Sequence, residues 1–255
     1  MEKNVLQSVD GIGDILIRYA RQYETKEFLI GDPSWFMHQV EGDENRETMA
    51  FIASCLSYGS RKQFMPKIQQ LLDHSQGEPY LWVREGRYRQ LFRPDDKSCF
   101  YRLYSNAVMF GFLSVFQQLI ERYGTLGGYV RQKASDGLGA VQSICSFFGG
   151  NGVCVVVPKN TQSACKRVCM FLRWMVRSGS PVDLGLWADF IDRRTLVMPL
   201  DTHVVSEAVR LGLLKSRCAS MSAALRLTES LAAIFPDDPL LGDFALFGYG
   251  VNHAL

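Results

Sequence analysis

The sequence predicts an all-α protein, and two observations favour that class. Apolar residues recur at helical spacing through most of the 255-residue chain, whereas a single run, VCVVV at residues 153–157, is rich in β-branched residues. With 47% hydrophobic residues, the chain can bury a sizeable core in one large domain or in two joined lobes. We therefore expect one compact helical unit covering residues 1–255.

The predicted helices follow from local signals, in chain order. Apolar periodicity in residues 47–74 is interrupted at Tyr58, Gly59 and Ser60, which indicates two helices joined by a tight turn. Residues 99–124 form a long aromatic-rich pattern that ends at a glycine, which is typical of a buried helix. Further helices are predicted at residues 126–133, 138–148, 161–179, 184–191, 219–234 and 239–247, and residues 153–157 are predicted as a lone strand.

Composition excludes several classes of protein. No apolar run reaches the roughly 18 residues that span a bilayer, and the first 20 residues carry acids and glycines where a signal peptide has an unbroken apolar stretch. We expect a cytoplasmic protein without a membrane partner. Seven cysteines without short regular spacing favour reduced buried thiols, and the scattered histidines predict no metal site.

Positive charge is concentrated in one segment, although the net charge of +2 is unremarkable. Residues 137–182 contain no Asp or Glu, and this window predicts a positive field of the kind that a polyanion partner needs. The cations of the window are Lys159, Lys166, Arg167, Arg173 and Arg177.

The helix predicted at residues 161–179 has two faces. Its apolar side chains gather on one side, while Lys166, Arg173 and Arg177 form a narrow stripe on the other. Thr161 is the expected N-cap. The stripe is consistent with phosphate binding and also with the solvated face of an ordinary surface helix.

Asp201 lies in the segment LVMPLDTHVVSEAVRLGLL, between Pro199 and the first turn of a well-patterned helix. An aspartate at this position is typical of an N-cap, because its carboxylate accepts hydrogen bonds from the first free amides of a helix. The same placement suits a catalytic carboxylate. Both interpretations stay open on the sequence alone.

Longer motifs resemble a known family. KRVCMFLRWMVR, VDLGLW, PLDTHV and DFALFGYG resemble an uncharacterised bacterial family, domain of unknown function 2400. LDTHV, with RLGL one helix later, resembles the helix-hairpin-helix (HhH-GPD) DNA glycosylase superfamily. The resemblance implies a two-lobed helical fold, with one lobe at residues 45–180 and the other formed by residues 1–44 and 181–255. Asp201 belongs to the second lobe, and a cleft between the lobes would hold the site.

The resemblance implies a DNA base-excision glycosylase that acts on a damaged purine in a duplex, with an added lyase activity at abasic sites. Asp201 matches the catalytic aspartate, and Lys166 falls at or near the lysine that attacks the sugar in bifunctional members. No cofactor and no obligate protein partner are expected. The nucleic-acid contacts would come from Lys159, Arg167, Arg173, Arg177 and His203, and the residues stacking on the base from Trp174 and Phe247.

The sequence departs from the superfamily pattern in two respects. VVPKNTQSACKR, at the place of the glycine-rich hairpin, contains no glycine, and the spacing from Lys166 to Asp201 exceeds that of the commonest members. Aromatic residues at helical spacing are also typical of a core, and His203 could simply satisfy backbone groups. Two other functions therefore remain: a non-catalytic nucleic-acid-binding protein with this fold, and a helical scaffold that binds a protein partner.

Overall fold

The computed structural model describes residues 9–253 and is mainly helical, which confirms the predicted class. Two short strands, β1 (Cys99–Tyr101) and β2 (Tyr104–Ser105), form an antiparallel hairpin. No helix within residues 9–253 is long and apolar enough to cross a membrane. The α-helices are α1 (Val9–Tyr23), α2 (Asp43–Leu56), α3 (Arg61–Ser75), α4 (Pro79–Arg84), α5 (Asn106–Tyr123), α6 (Leu126–Arg131), α7 (Gly137–Gly150), α8 (Lys166–Val176), α9 (Thr202–Arg210), α10 (Met221–Ala232) and α11 (Leu241–His253).

A cluster of phenylalanines at the centre of the core fixes α8. Phe51 of α2 lies 5.1–5.8 Å, between ring centroids, from four other phenylalanines, and all five side chains are fully buried. Rings at these distances pack edge-to-face or tilted, which adds to the free energy gained from burying their area. The four partners are Phe112 and Phe116 of α5, Phe148 of α7 and Phe171 of α8.

Helix α11 packs against both α1 and α9. A side chain at Gly248 would place its Cβ 2.2 Å from a ring carbon of Tyr23 in α1, closer than any real contact. Only glycine permits this approach of α11 to α1. Gly250, which is also in α11, lies against the Glu207 side chain of α9.

The tight turn predicted near Tyr58 is confirmed. Helix α2 ends at Leu56 and α3 begins at Arg61. Between them Gly59 has a φ of +79°, and a Cβ there would meet the Arg102 side chain at 2.5 Å. Glycine therefore allows both the left-handed turn and the contact with the β1–β2 hairpin.

Residues 99–105, predicted as helix, instead form the β1–β2 hairpin. Tyr104 donates its hydroxyl hydrogen to the Cys55 carbonyl at 3.1 Å, and the Leu103 N–H donates to the Tyr58 hydroxyl at 3.2 Å. Helix α5 begins only after Ser105, whose hydroxyl accepts from the Val108 N–H at 3.2 Å. These tertiary contacts outweigh the local helical pattern.

Three other local predictions are wrong. Residues 153–157 form turns, because the N–H groups of Val156 and Val157 both donate to the Val153 carbonyl, at 3.0 and 3.1 Å, and no partner strand is present in the described chain. Residues 184–191 form turns against the end of α8. Thr161 caps no helix, because α8 begins five residues later, at Lys166.

The predicted two lobes stay a prediction. Residues 1–8 and 254–255, which belong to the predicted terminal lobe, lie outside the described residues.

Candidate active site

Several parts of the chain enclose a cavity of about 1070 Å³. Its walls include the α2–α3 turn, the starts of α8 and α9, and the α11 residues Asp243 and Phe247. Ligand pockets in proteins commonly measure roughly 300–1,000 Å³. The cavity is therefore large enough for a ligand the size of a nucleotide.

Lys166 enters this cavity as the first residue of α8. The preceding Cys165 has left-handed backbone angles (φ 47°, ψ 36°), which are uncommon for a residue other than glycine. Lys166 Nζ lies 3.6 Å from Asp201 Oδ2, and the two side chains are 35% and 30% exposed. The structure thus brings together the two residues predicted to be catalytic, in an ion pair that solvent can reach.

Asp201 makes one contact expected of a helix N-cap and one expected of a catalytic carboxylate. Its backbone is extended, and its Oδ1 accepts the Val204 N–H at 2.7 Å, so the predicted N-cap of α9 is confirmed. Its other carboxylate oxygen faces Lys166. The cap holds the carboxylate in one orientation while leaving Oδ2 for an interaction in the cavity.

The N-terminal ends of α8 and α9 therefore lie at the same cavity. The N-terminus of a helix carries a partial positive charge and unpaired backbone N–H groups, both of which favour anions. Arg61, His203 and Arg217 also line the cavity and are exposed, and Arg61 pairs with Asp32 at 3.5 Å. This arrangement suits an anionic ligand such as a phosphodiester.

Arg167 is half-buried and ties α8 to the end of α2. Its Nη1 donates to the Cys55 carbonyl at 2.9 Å and to the Tyr104 hydroxyl, and its guanidinium lies 5.4 Å from the centre of the Tyr58 ring. The residue also lines the cavity. The predicted phosphate contact of Arg167 stays a prediction, and its existing contacts already hold the guanidinium in place.

The predicted cationic surface stripe is wrong at Arg173 and Arg177. Both residues are buried, with 3% and 2% of their surface exposed. Their guanidinium groups pair with carboxylates from distant parts of the chain, which compensate the cost of burying the charge. Neither arginine therefore lies on an exposed cationic face, and Arg173, which also lines the cavity, is already paired with Asp183 and Asp243.

The buried ion-pair network around these arginines joins the end of α8 to four carboxylates. Arg177 pairs with Asp238 and Glu24, at 2.8 and 2.7 Å, and with Asp183. Arg173 pairs with Asp183 at 3.3 Å and with Asp243. The carboxylates raise the pKa of Arg177 even though burial opposes its charge. The network anchors the C-terminal half of α8.

Asp243 was not predicted from the sequence, although it connects this network to the cavity. It lines the cavity, and its carboxylate accepts a hydrogen bond from Arg173. Burial raises the pKa of Asp243 to about 6; Arg173 opposes the shift, and the charge of Asp201 adds to it. Within DFALFGYG the sequence pattern gave no signal that distinguishes this carboxylate from an ordinary helix-start acid.

The two predicted stacking residues have different environments. Trp174 is fully buried, so stacking on a base is excluded and its interpretation as a core residue is confirmed. Phe247 lines the cavity, with its ring 5.1 Å from that of Phe28 and the Arg61 guanidinium 5.6 Å from its centroid. An apolar wall with an adjacent guanidinium therefore faces the cavity.

Lys159 is exposed and lies outside the set of cavity-lining residues, on the segment between α7 and α8. The backbone of this segment approaches α7 closely, because a Cβ at Gly149 would lie 2.6 Å from the Lys159 Cα. Its predicted contact with nucleic acid stays a prediction.

The fold and site thus define a helical protein with an accessible lysine–aspartate pair in a large cavity. The chain belongs to the family described as protein of unknown function (DUF2400), whose family model matches residues 32–252. No curated protein and no solved structure matches this chain. The matched region includes both Lys166 and Asp201.

Proposed function

We propose that this protein is a DNA base-excision glycosylase that acts on a damaged purine and also cleaves the strand at abasic sites. The observation that carries the proposal is the Lys166–Asp201 pair, 3.6 Å apart and reached from a cavity of about 1070 Å³. The resemblance of LDTHV and RLGL to the HhH-GPD superfamily supports the same function.

The chemistry suits the two side chains. Breaking the N-glycosidic bond develops positive charge on the deoxyribose, and a fixed carboxylate close to the sugar stabilises that charge. Asp201 is fixed by its cap to Val204. A lysine amine that attacks the sugar forms a C–N bond while the base departs with the electrons of the glycosidic bond. Lys166 is the amine in this position.

The covalent intermediate explains the lyase step. The bond between the anomeric carbon and the ring oxygen then breaks, and the oxygen keeps the electron pair and takes a proton from water. The C=N bond that forms is a Schiff base between Lys166 and the opened sugar, with the positive charge on nitrogen. Removal of a proton from the adjacent carbon then allows the 3′ phosphate to leave, and water releases the lysine. The amine must lose its ammonium proton before attack, and water, which reaches the half-exposed pair, takes that proton.

The cavity supports the choice of substrate class. A base can be attacked at its sugar only after it leaves the helical stack and enters a pocket. The cavity volume can hold the larger base class, the purines, together with the sugar. Phe28 and Phe247 supply the apolar wall on which an extruded base can rest.

Phosphate binding must differ from that of the superfamily, because residues 151–165 form turns and VVPKNTQSACKR has no glycine. We assign the contacts to the N-terminal ends of α8 and α9 and to the exposed Lys159, His203 and Arg217. Basic side chains at phosphates release counterions, so binding should weaken as salt rises.

The test measures base release and strand cleavage on duplexes that each carry one damaged purine or one abasic site. Reduction with borohydride should trap the wild-type protein on the substrate strand, because it converts the Schiff base to a stable amine. Lys166→Gln should give no trapped adduct, whereas Lys133→Gln, a matched change of an exposed lysine outside the cavity, should keep trapping. Salt-sensitive DNA binding without release or cleavage on any substrate would favour the non-catalytic nucleic-acid-binding protein. Absence of DNA binding at low salt in a folded sample would favour the scaffold.

A further inference from the structure

Two buried thiols lie next to Lys166. Cys145 of α7 and Cys165 are 0% and 3% exposed, and their Sγ atoms are 3.7 Å apart. A disulfide has a sulfur–sulfur distance of about 2.05 Å, so the atoms need to approach by only about 1.7 Å in total. The seven cysteines are all free thiols, and no metal-binding group of three or more His, Cys, Asp or Glu lies in the described part of the chain.

The two thiols differ in access. Cys165 is part of the cavity wall, whereas Cys145 is not. Of the two residues, Cys165 is therefore the nearer to a small solute in the cavity. Cys145 lies behind it, in contact with its sulfur.

The two thiols also differ in pKa, and this difference too makes Cys165 the more reactive of the pair. The hydrogen bond from the Cys145 thiol lowers the pKa of Cys165 to about 7, with further help from Ser163 and the charge of Arg167. The same hydrogen bond and burial raise the pKa of Cys145. Because the thiolate is the reactive form of cysteine, Cys165 is the nucleophile of the pair.

The position of Cys165 couples it to the candidate site. Its left-handed backbone immediately precedes Lys166, the first residue of α8. Any shift of the Cys165 backbone toward α7 therefore changes the placement of Lys166 relative to Asp201. A non-glycine residue at positive φ stores conformational strain, which lowers the resistance of this residue to such a change.

We propose that Cys165 and Cys145 form a peroxide-oxidised modification site whose disulfide displaces Lys166 from Asp201 and lowers the activity of the site. The effect on activity rests on the function proposed above, whereas disulfide formation and the displacement of Lys166 do not. Reduced protein is the active form.

The oxidation balances with hydrogen peroxide as the oxidant. The Cys165 thiolate attacks one peroxide oxygen, an S–O bond forms, and the O–O bond breaks as hydroxide leaves and becomes water on taking a proton. Cys165 is then a sulfenic acid, oxidised by two electrons. The Cys145 sulfur attacks Cys165 Sγ, the S–S bond forms and the S–O bond breaks. The departing hydroxide takes the Cys145 proton, so two thiols and one peroxide give one disulfide and two waters.

The first experiment identifies the disulfide. The full-length reduced protein is treated with hydrogen peroxide, its remaining thiols are alkylated under denaturing conditions, and its peptides are mapped by mass spectrometry. We expect a cross-linked pair of peptides containing Cys145 and Cys165, which dithiothreitol separates. The cross-link should persist in Cys169→Ser, a change of a buried thiol one helical turn further along α8, and disappear in Cys145→Ser. The proposal would be overturned if Cys145 and Cys165 were both alkylated in protein whose exposed thiols had been oxidised. The exposed thiols are Cys99, Cys154 and Cys218.

The second experiment follows Lys166 without DNA. Lysines are reductively methylated with ¹³C-formaldehyde, and the Lys166 methyl signal is assigned by its absence in Lys166→Gln. Peroxide should shift this signal in the wild type and in Cys169→Ser, dithiothreitol should restore it, and Cys145→Ser should show no shift. An unchanged signal in protein that carries the Cys145–Cys165 disulfide would overturn the displacement of Lys166.

The third measurement uses the unmethylated protein and DNA. Strand cleavage at an abasic site should fall on the order of 10- to 100-fold on oxidation and return on reduction, because small displacements of a reacting group cost that much rate. Unchanged cleavage by the disulfide form would overturn the regulation. If the reduced protein neither releases bases nor cleaves strands, the proposed function fails, and the first two experiments still decide the disulfide and its effect on Lys166.

Discussion

The two ends of α8 carry the same kind of residue in opposite environments. At its start, Lys166 is 35% exposed and has a single carboxylate partner at the cavity. At its end, Arg173 and Arg177 are almost fully buried among several carboxylates. The acid-free window therefore combines an accessible cation with two buried ones, and charge along a sequence does not separate them.

The difference predicts opposite consequences of removing a cation. A half-exposed ion pair contributes little to stability because water and salt screen it. A buried arginine whose carboxylates would be left unpaired contributes much more, since each uncompensated charge is costly. Substitutions at the two ends of α8 should therefore separate activity from stability.

The largest effect is expected for Lys166→Gln on activity. Strand cleavage should fall by on the order of 10³-fold or more, because the attacking amine is lost. The free energy of unfolding should change by less than about 1 kcal/mol, since the ion pair is exposed. Single-turnover cleavage and urea denaturation measure the two quantities. A variant that is unfolded, or one that cleaves at the wild-type rate, would contradict the assignment of Lys166 to the active end.

The next largest effect is expected for Arg177→Met on stability. The substitution leaves Glu24, Asp183 and Asp238 without their shared cation, and the free energy of unfolding should fall by about 3–5 kcal/mol. Urea denaturation is again the measurement. Arg217→Met, at an exposed arginine of the cavity, is the matched control and should change stability by about 0.5 kcal/mol or less. Similar losses in both variants would show that burial does not distinguish the two arginines.

Asp243→Asn should change the pH dependence of stability. The pKa of Asp243 in the folded protein, about 6, lies above its ordinary value. Its contribution to stability is therefore fully present below about pH 4 and is lost as the pH rises through 6. We compare the free energies of unfolding of the wild type and the variant. The wild-type value minus the variant value should fall by at most about 3 kcal/mol between about pH 4 and pH 6. A constant difference from pH 4 to 7 in denaturation curves would be inconsistent with a raised pKa.

The smallest effect concerns the cap at Asp201. Asp201→Ala removes the hydrogen bond to Val204 and should destabilise the protein by about 0.5–2 kcal/mol. Asp201→Asn keeps a capping oxygen, so its stability should stay within about 0.5 kcal/mol of the wild type. Both variants should lose base release, because neither has a carboxylate at the sugar. Base release by Asp201→Asn at the wild-type rate would restrict Asp201 to the role of a cap.

The parts of the fold that local chemistry decides could be predicted. Gly59 breaks α2 from α3 and Gly124 ends α5, because each supplies a backbone conformation that other residues adopt with strain. The valines at residues 153–157 misled the prediction, since β-branched residues favour a strand only where a partner strand exists. Val153, Val156 and Val157 instead bury their side chains at the three- and four-residue spacing of consecutive turns.

The candidate site was predictable only in part, for a similar reason. Asp201 lies at a helix start that Pro199 and the following periodicity mark, and the motif resemblance connected it with Lys166. Burial of Arg173 and Arg177 depends on carboxylates that come from residues 24, 183, 238 and 243, which no local pattern links to α8. The same limitation hid Asp243 and the contact between Cys145 and Cys165.

Arg177 also has a consequence for how the molecule opens. Its hydrogen bonds connect residue 24 with residue 238, so α1, α8 and the region before α11 cannot separate one at a time without exposing a charged group. We expect the backbone amides of these helices to exchange hydrogen with solvent only when the whole protein unfolds. Residues 151–165, which make few regular backbone hydrogen bonds, should exchange through small local openings. The start of α8 would then adjoin a segment that samples open conformations while the other end of the same helix stays closed.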